Sequence, residues 1–416
     1  MPILEAVLIA VAILALLGVI FEEVIHVNKA KTTLFFGTLS WVLLFLFSSG
    51  VDETAAVSSG LSESIAEIAG LWLFLVAAMT FVAYLNKKGM IENMIYLIMP
   101  RQVTERRLLF LTGLFCFVFS SLADNITATL VSCSLILSLS LDLKKRLQFI
   151  VLVVFAVNSG GVSLITGDVT TLMIFLADKV EILTLLTLAI PASITVFLLA
   201  VLLSGGLSGT VTLKASSNEV RTVDAVIAGL FLVTIIATIT GNALFSIPPV
   251  LTFLFGLSIM FLVSRFMSDD SDLDPILEYI RVIEFETLLF FLGVLLLVGM
   301  LQYIGTLQSL TSLYDLMPPM AANFLMGMLS ALIDNVPLTA ALLKADLQMT
   351  IAEWMGLTYA VGVGGSLLII GSAAGIVAMS KMPGLTFMTY LRSFGLLLMA
   401  FAFGFVAVYG LGLLVS

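Results

Sequence analysis

Two ten-residue stretches of the chain raise a chemical question. SLADNITATL (121–130) centres on Asp124 and Asn125, and ALIDNVPLTA (331–340) centres on Asp334 and Asn335, each inside an apolar run. The match extends outward at equal offsets, with Ser120 and Ser330 before the pairs and Thr129 and Thr339 after them. A third acid, Asp168, lies in the glycine-rich run NSGGVSLITGDVTT (158–171). A charge at the bilayer centre costs roughly 2.5–3.5 kcal/mol on insertion scales, so these carboxylates must be neutral, paired or ion-bound. Neither the Asp-Asn stretches nor the glycine-rich runs contain Lys or Arg. The partners left are a proton and a small cation, competing for the same oxygens.

The second half has its own glycine-rich run, VGVGGSLLIIGSAAG (361–375), in which Gly365 and Gly371 match Gly161 and Gly167 and Ser372 stands where Asp168 would be. Glycine breaks a helix and frees backbone carbonyls. Carbonyl, hydroxyl and carboxylate oxygens suit hard cations better than soft metals. The candidate ion- and proton-binding set is therefore Asp124, Asn125, Thr129, Asn158, Ser159, Asp168, Thr170, Asp334, Asn335, Thr339, Ser366 and Ser372. Capping of a hairpin tip is the alternative role for Asp124 and Asp334. Capping or helix–helix hydrogen bonding is the alternative for Asn125 and Asn335.

These residues need a membrane scaffold to hold them. The chain has 416 residues, of which 61% are hydrophobic and 11% charged, with a mean hydropathy of +1.20. Soluble domains carry about a quarter charged residues, so the chain reads as an all-α polytopic membrane protein. The net charge of −9 comes with no basic run long enough to bind nucleic acid. Cys116 and Cys133 read as free membrane thiols, and with His26 the lone histidine, neither a transition-metal site nor a cofactor is expected. The first apolar segment carries Glu5 where a signal peptide has a basic region, so it is expected to be retained as a span.

At about 20 apolar residues per crossing, crossings fall near 3–22, 32–50, 66–86, 147–178, 182–204, 222–242, 248–265, 284–304, 354–380 and 386–414. Glu67 then begins a span at the external face, and Asp52, Glu53 and Glu63 lie in an external connection. Residues 106–141 and 318–349 are too long for one crossing and too short for two. With both termini periplasmic, 16 of the 18 basic residues fall inside and only Lys179 and Lys344 outside, in line with the positive-inside rule. Both long segments then become re-entrant hairpins with an Asp-Asn tip, entering from opposite faces. The expected fold is an inverted-topology repeat with two re-entrant hairpins and two discontinuous transmembrane helices, an architecture of secondary transporters. Residues 1–60 are expected to be scaffold and 61–205 the first repeat (hairpin 106–141, broken helix 147–178). Residues 206–282 would link the halves, and 283–416 form the second repeat (hairpin 318–349, broken helix 354–380). Asp269, Asp270, Asp272 and Asp274 read as a solvated cytoplasmic loop.

DNITATL, NSGGVSLITGDVTTLMI, DNVPLTAAL and GGSLLIIGSAAGIVAM resemble the NhaD-type sodium/proton antiporters of the ion-transporter superfamily, over about residues 60–395. That superfamily also holds arsenite permeases and dicarboxylate transporters. The resemblance implies a bacterial inner-membrane exporter of Na⁺ or Li⁺ in exchange for H⁺, often a homodimer with an elevator-like transport domain. It points to Asp124, Asn125, Asp168, Thr170, Asp334 and Asn335 as the ion site. The family often has an acidic residue where this chain has Ala83. An arsenite or oxyanion permease is the alternative transporter. An intramembrane aspartyl protease fits poorly, because it has no use for the second Asn.

Overall fold

The computed structural model describes residues 2–20, 22–48, 50–90, 93, 102–139, 141–212, 221–267, 279–281, 283, 285–345 and 347–415. The acidic run Asp269–Asp274 lies outside them. Among the described residues, seven helical segments are long and apolar enough to cross a membrane. Large apolar side chains such as Phe197, Ile236 and Phe255 point outward, as a lipid-facing surface requires.

The chain opens with α1 (Pro2–Ile20), α2 (Glu22–Ile25), α3 (Lys29–Phe47) and α4 (Val51–Lys87). α4 is one continuous 37-residue helix. Asp52, Glu53 and Glu63 thus sit on a helix rather than in a loop, and Glu67 lies in the interior of that helix rather than at its start. Asp52, Glu63 and Glu67 are exposed and Glu53 half-buried, and acids so placed do not stop a helix that has no Gly-Pro break. Then come β1 (Gln102–Thr104), α5 (Glu105–Leu122), α6 (Asn125–Ser138), α7 (Leu143–Gly161), α8 (Val169–Leu176), α9 (Ile182–Leu186) and α10 (Ala189–Leu203). β2 (Thr210–Thr212) pairs antiparallel with β1, Val103 opposite Val211. This short ribbon is an addition to the all-helical expectation.

The second half runs through α11 (Thr222–Phe245), α12 (Pro249–Met267), α13 (Phe285–Tyr303), a 3₁₀ turn (Thr306–Gln308) and α14 (Ser309–Leu316). It continues as α15 (Pro319–Ser330), α16 (Asn335–Lys344), α17 (Ile351–Gly364), α18 (Ala373–Lys381), α19 (Phe387–Leu391) and α20 (Phe394–Val415). α7 is buried on every side from Phe149 to Gly161, and α17 from Trp354 to Gly364. Helices that are apolar all round belong in the interior, and these two are the central posts.

Each hairpin runs beside its post. Glu105 and Lys145 form an ion pair of 2.7 Å, and Ser120 Oγ donates to the Val157 carbonyl at 2.8 Å. α5 and α7 therefore start together and run parallel, and the hairpin between them returns to its starting end. In the second half, Asn323 Nδ2 donates to the Glu353 carbonyl at 2.8 Å and Ser330 Oγ to the Val361 carbonyl at 2.6 Å. A Cβ at Gly160 would collide with the Phe117 carbonyl, and one at Gly364 with the Gly327 carbonyl. Only glycine allows that approach of hairpin to post, and it does so in both halves.

The two posts run in opposite directions. Lys179, beyond the end of α8, lies over the Trp354 ring near the start of α17. Gly384, beyond the end of α18, lies against Leu143 at the start of α7. The two hairpins thus enter from opposite ends and their tips meet in the middle. A separate panel of α3, α4 and α13 flanks them. α3 and α13 run parallel, with Trp41 Nε1 on the Leu296 carbonyl and Trp72 Nε1 of α4 on the Leu288 carbonyl, each at 2.9 Å.

Candidate ion-binding site

Four helix starts converge at the centre. Asp124 and Asp334 are the N-caps of α6 and α16, while Asp168 and Ser372 are the N-caps of α8 and α18. Residues 162–168 and 365–372 interrupt the two posts between α7 and α8 and between α17 and α18, as the glycine runs imply. The caps explain why the chain breaks there: a short acidic or hydroxyl side chain takes backbone N–H groups that have no partner in the helix. Asp124 Oδ1 accepts from Thr127 N at 2.7 Å, Asp334 Oδ1 from Val336 N at 3.2 Å, and Ser372 Oγ from Gly375 N at 3.2 Å. Capping and a site role are therefore not exclusive, because capping leaves the carboxylates lining a common cavity.

That cavity has a volume of about 250 Å³. Its polar lining includes Asp124, Asn125, Asn158, Asp168, Asp334, Asn335 and Ser372. Asp168 is the residue in this lining that both hairpins contact. Oδ1 of Asp168 accepts from Thr170 N and Thr170 Oγ1, both at 2.9 Å. Oδ2 accepts from Asn125 Nδ2 of one hairpin and Asn335 Nδ2 of the other, both at 3.3 Å. The two halves therefore share one carboxylate oxygen. The Asn contacts are long for N–H···O bonds, so a cation can displace them at modest cost. An amide that rotates then presents its carbonyl oxygen instead.

Asn158 adds an oxygen that is already unpaired. Its Nδ2 donates to the Val154 carbonyl at 2.8 Å and to Ser372 Oγ at 3.1 Å. Its Oδ1 is buried without a partner, and so is Ser159 Oγ. Buried acceptors are rarely left unmatched, and the free carbonyl oxygen of a residue that lines a carboxylate-bearing cavity is a fitting ligand for a hard cation. Ser159 does not reach the cavity lining.

Several expected ligands are spent elsewhere. Thr129 and Thr339 donate to the carbonyls of Asn125 and Asn335, each at 2.8 Å. Ser366 Oγ donates to the Val363 carbonyl at 2.6 Å. None of the three lines the cavity. A helical Thr or Ser readily bonds back to the preceding turn, which composition and spacing do not reveal. Thr170 acts on Asp168 rather than on the cavity.

The largest departure is at Asp334. The stretches around the tips hold no basic residue, yet Lys29 Nζ from the start of α3 lies 2.9 Å from Asp334 Oδ2. Lys29 also sits 4.4 Å from the centre of the Phe290 ring. Glu22, Lys29 and Thr287 line the cavity at the N-terminal ends of α3 and α13. At the other end of α16, Lys344 pairs with Glu67. Lys29 falls between the crossings expected at 3–22 and 32–50; the parallel packing of α3 on α13 is what delivers it to the tip. The nearest sequence signal is a pair of lysines, Lys29 and Lys31, at the first turn of a span that is otherwise uncharged.

A family model described as Citrate transporter matches residues 2–362. The chain is 30% identical to the Na⁺/H⁺ antiporter NhaD of Alkalimonas amylolytica, over 92% of this chain and 86% of that one. It is 29% identical to the Na⁺/H⁺ antiporter NhaD of Vibrio cholerae, over 90% and 85%. It is also 29% identical to sodium/proton antiporter 1 of Arabidopsis thaliana, over 90% and 67%. Among solved structures, the YdaH transporter of Alcanivorax borkumensis shares the fold with a TM-score of 0.53 at 12% identity, over 92% of this chain and 97% of that one. These are membrane transporters rather than enzymes, and the chain, multi-pass by its apolar helices, belongs to the NhaD family of sodium/proton antiporters.

Proposed function

We propose that the protein is a secondary active antiporter that exports Na⁺, or Li⁺, in exchange for H⁺ across a bacterial inner membrane. The carrying observation is the convergence of Asn125 and Asn335, from oppositely entering hairpins, on Asp168 Oδ2. Asp124, Asp334 and Asn158, whose Oδ1 is unpaired, line the same cavity. Relatives named as Na⁺/H⁺ antiporters support the choice of ions. The ion site is Asp124, Asn125, Asn158, Asp168, Asp334 and Asn335, with cation and proton competing for the carboxylates. An oxyanion or carboxylate cargo suits this lining less well, because four carboxylates (Glu22, Asp124, Asp168 and Asp334) line it and its lysine is already paired.

The fold supports a division of labour. The two hairpins and two broken posts form the ion-carrying unit, and α3, α4 and α13 form the panel it works against. Placed in a bilayer with both termini periplasmic, the halves are inverted. The Lys29 end of the cavity then faces the cytoplasm. A homodimer built on the panel side completes the reading. The test is quenching of a ΔpH-sensitive dye in everted vesicles that contain the protein. Na⁺ and Li⁺ should reverse the quench and K⁺ should not. No reversal by either ion above vesicles lacking the protein rules the reading out.

A further inference from the structure

We infer that each chain binds a single alkali cation, on the first-half side of the cavity, and that the equivalent position in the second half is closed to a second one. This rests on the antiport reading and narrows its site to a count and a place. The two hairpin tips are chemically equal, with Asp124 and Asn125 matched by Asp334 and Asn335. The two breaks are not. Placing Gly161 on Gly365 sets Asn158, Thr166, Asp168 and Thr170 against Gly362, Ile370, Ser372 and Ala374. Of these positions, only that of Asp168 keeps a polar side chain in the second half. The frame around them is nevertheless the same, since Ser120 and Ser330 donate to the equivalent carbonyls of Val157 and Val361.

Four contacts close the second position. A Cβ at Gly362, the counterpart of Asn158, would collide with Val162 Cγ1. The space that a second amide ligand would need is therefore filled. Ser372 Oγ accepts from Asn158 Nδ2 at 3.1 Å and from Gly375 N at 3.2 Å. A hydroxyl oxygen has two lone pairs, so neither is left for a cation. Asn335 does not serve its own break either: its Nδ2 crosses to Asp168 Oδ2 at 3.3 Å. Asp334 Oδ2 is taken by Lys29 Nζ at 2.9 Å, so the charge of the second tip is already matched.

The first half keeps what the second lacks. Asp124, Asn158 and Asp168 line the cavity together, and Asn158 Oδ1 is buried without a partner. Two carboxylates and a free carbonyl oxygen are a hard-donor set for one small cation. The second half supports that set instead of repeating it. Ser372 Oγ and the Val154 carbonyl both accept from Asn158 Nδ2, which fixes the amide and leaves its oxygen free. Ser372 is therefore a positioning residue, standing where the first half has a carboxylate. Asp334 holds the Lys29 ammonium away from the cation. Without Asp334 that charge is free to compete with the cation, so both tips are needed for exchange although one cation is bound.

The experiment counts bound cations. Full-length protein, purified in detergent at mildly alkaline pH, is dialysed to equilibrium against radioactive Na⁺, and bound Na⁺ per chain is read at saturation. The wild type should bind one. Ser372→Ala should also bind one, with affinity weakened about 2- to 10-fold, the worth of one neutral hydrogen bond. Ser372→Thr keeps the hydroxyl and should restore the affinity. The swap of Asp168→Ser with Ser372→Asp moves the carboxylate to the other break, and it should bind no Na⁺ at the concentration that saturates the wild type. Wild-type affinity in the swap would make the two breaks interchangeable and overturn the inference. So would a complete loss of binding in Ser372→Ala, which would make Ser372 a ligand. The wild-type count stands whether or not the swap folds: two Na⁺ per chain overturn this inference alone, whereas no bound Na⁺ overturns the antiport reading with it.

Discussion

Replacing Asn158 by alanine separates a ligand from a structural side chain. In the empty protein the change removes two neutral hydrogen bonds, to the Val154 carbonyl and Ser372 Oγ. Each contributes about 0.5–1.5 kcal/mol. It also removes a buried carbonyl oxygen that has no partner, and such a group costs about 1–3 kcal/mol. The two effects nearly cancel, so the melting temperature of Asn158→Ala in detergent should stay close to wild type. With the cation bound, the balance is different. Oδ1 is then a ligand to a charge, an interaction of about 1.5–3 kcal/mol, and its loss weakens Na⁺ affinity by about 10- to 100-fold. The assay is the Na⁺ concentration giving half-maximal reversal of ΔpH at fixed pH, beside the melting curve. Ser372→Ala should be milder, because Asn158 Nδ2 keeps its bond to the Val154 carbonyl. A half-maximal Na⁺ concentration within threefold of wild type in Asn158→Ala would refute the ligand role.

Asp124→Asn and Asp334→Asn keep the side-chain volume and the cap but remove the charge; each should lower vesicle exchange at least 100-fold, and near-normal exchange in either would count against the site. Cysteines placed at the exposed positions Arg106 and Lys144 should both react with a membrane-impermeant maleimide from the same side, since the hairpin returns to its starting end; labelling from opposite sides would make 106–141 a crossing. Glu105 tests the anchor at the mouth of that hairpin. Burial pushes its carboxyl up, but the Lys145 ammonium and the Gly209 N–H outweigh burial and hold it below the usual carboxylate range. With the folded value below the unfolded one, the contribution is complete above about pH 4.3 and lost as pH falls through the depressed value. Glu105→Gln should therefore lower the melting temperature at pH 7, and the gap to wild type should close below about pH 4; a gap unchanged at low pH would contradict the ion-pair account.

The tips and the breaks were legible because they repeat. Asp-Asn with Ser and Thr at fixed offsets, and Gly161/Gly167 against Gly365/Gly371, mark the same backbone twice, and geometry with this much constraint leaves little choice of residue. Charge counting found the hairpins because basic residues cannot be hidden in lipid. Three features were not legible, each for its own reason. Val51–Lys87 is one helix because its acids lie on its outer side, exposed or, like Glu67, paired, where they neither break a helix nor mark a loop. Thr129, Thr339 and Ser366 bond to their own backbone, a choice made by local rotamers. Lys29 reaches Asp334 because α3 packs parallel to α13, with Gly37 and Gly293 backbone to backbone, and such register between distant helices leaves no trace in hydropathy.

Sodium binding to the purified protein as a function of pH tests the central claim most directly. Calorimetric titrations of NaCl into the wild-type protein and Asp168→Asn, at pH 6, 7, 8 and 9, measure competition between cation and proton without any transport step. Affinity in the wild type should weaken as the pH is lowered, by up to about tenfold per unit for each proton displaced. Asp168→Asn should bind Na⁺ at least 100-fold more weakly at every pH, since it removes the one carboxylate that both hairpins hold. Sodium affinity that does not change with pH, or wild-type affinity in Asp168→Asn, would contradict a shared site for cation and proton.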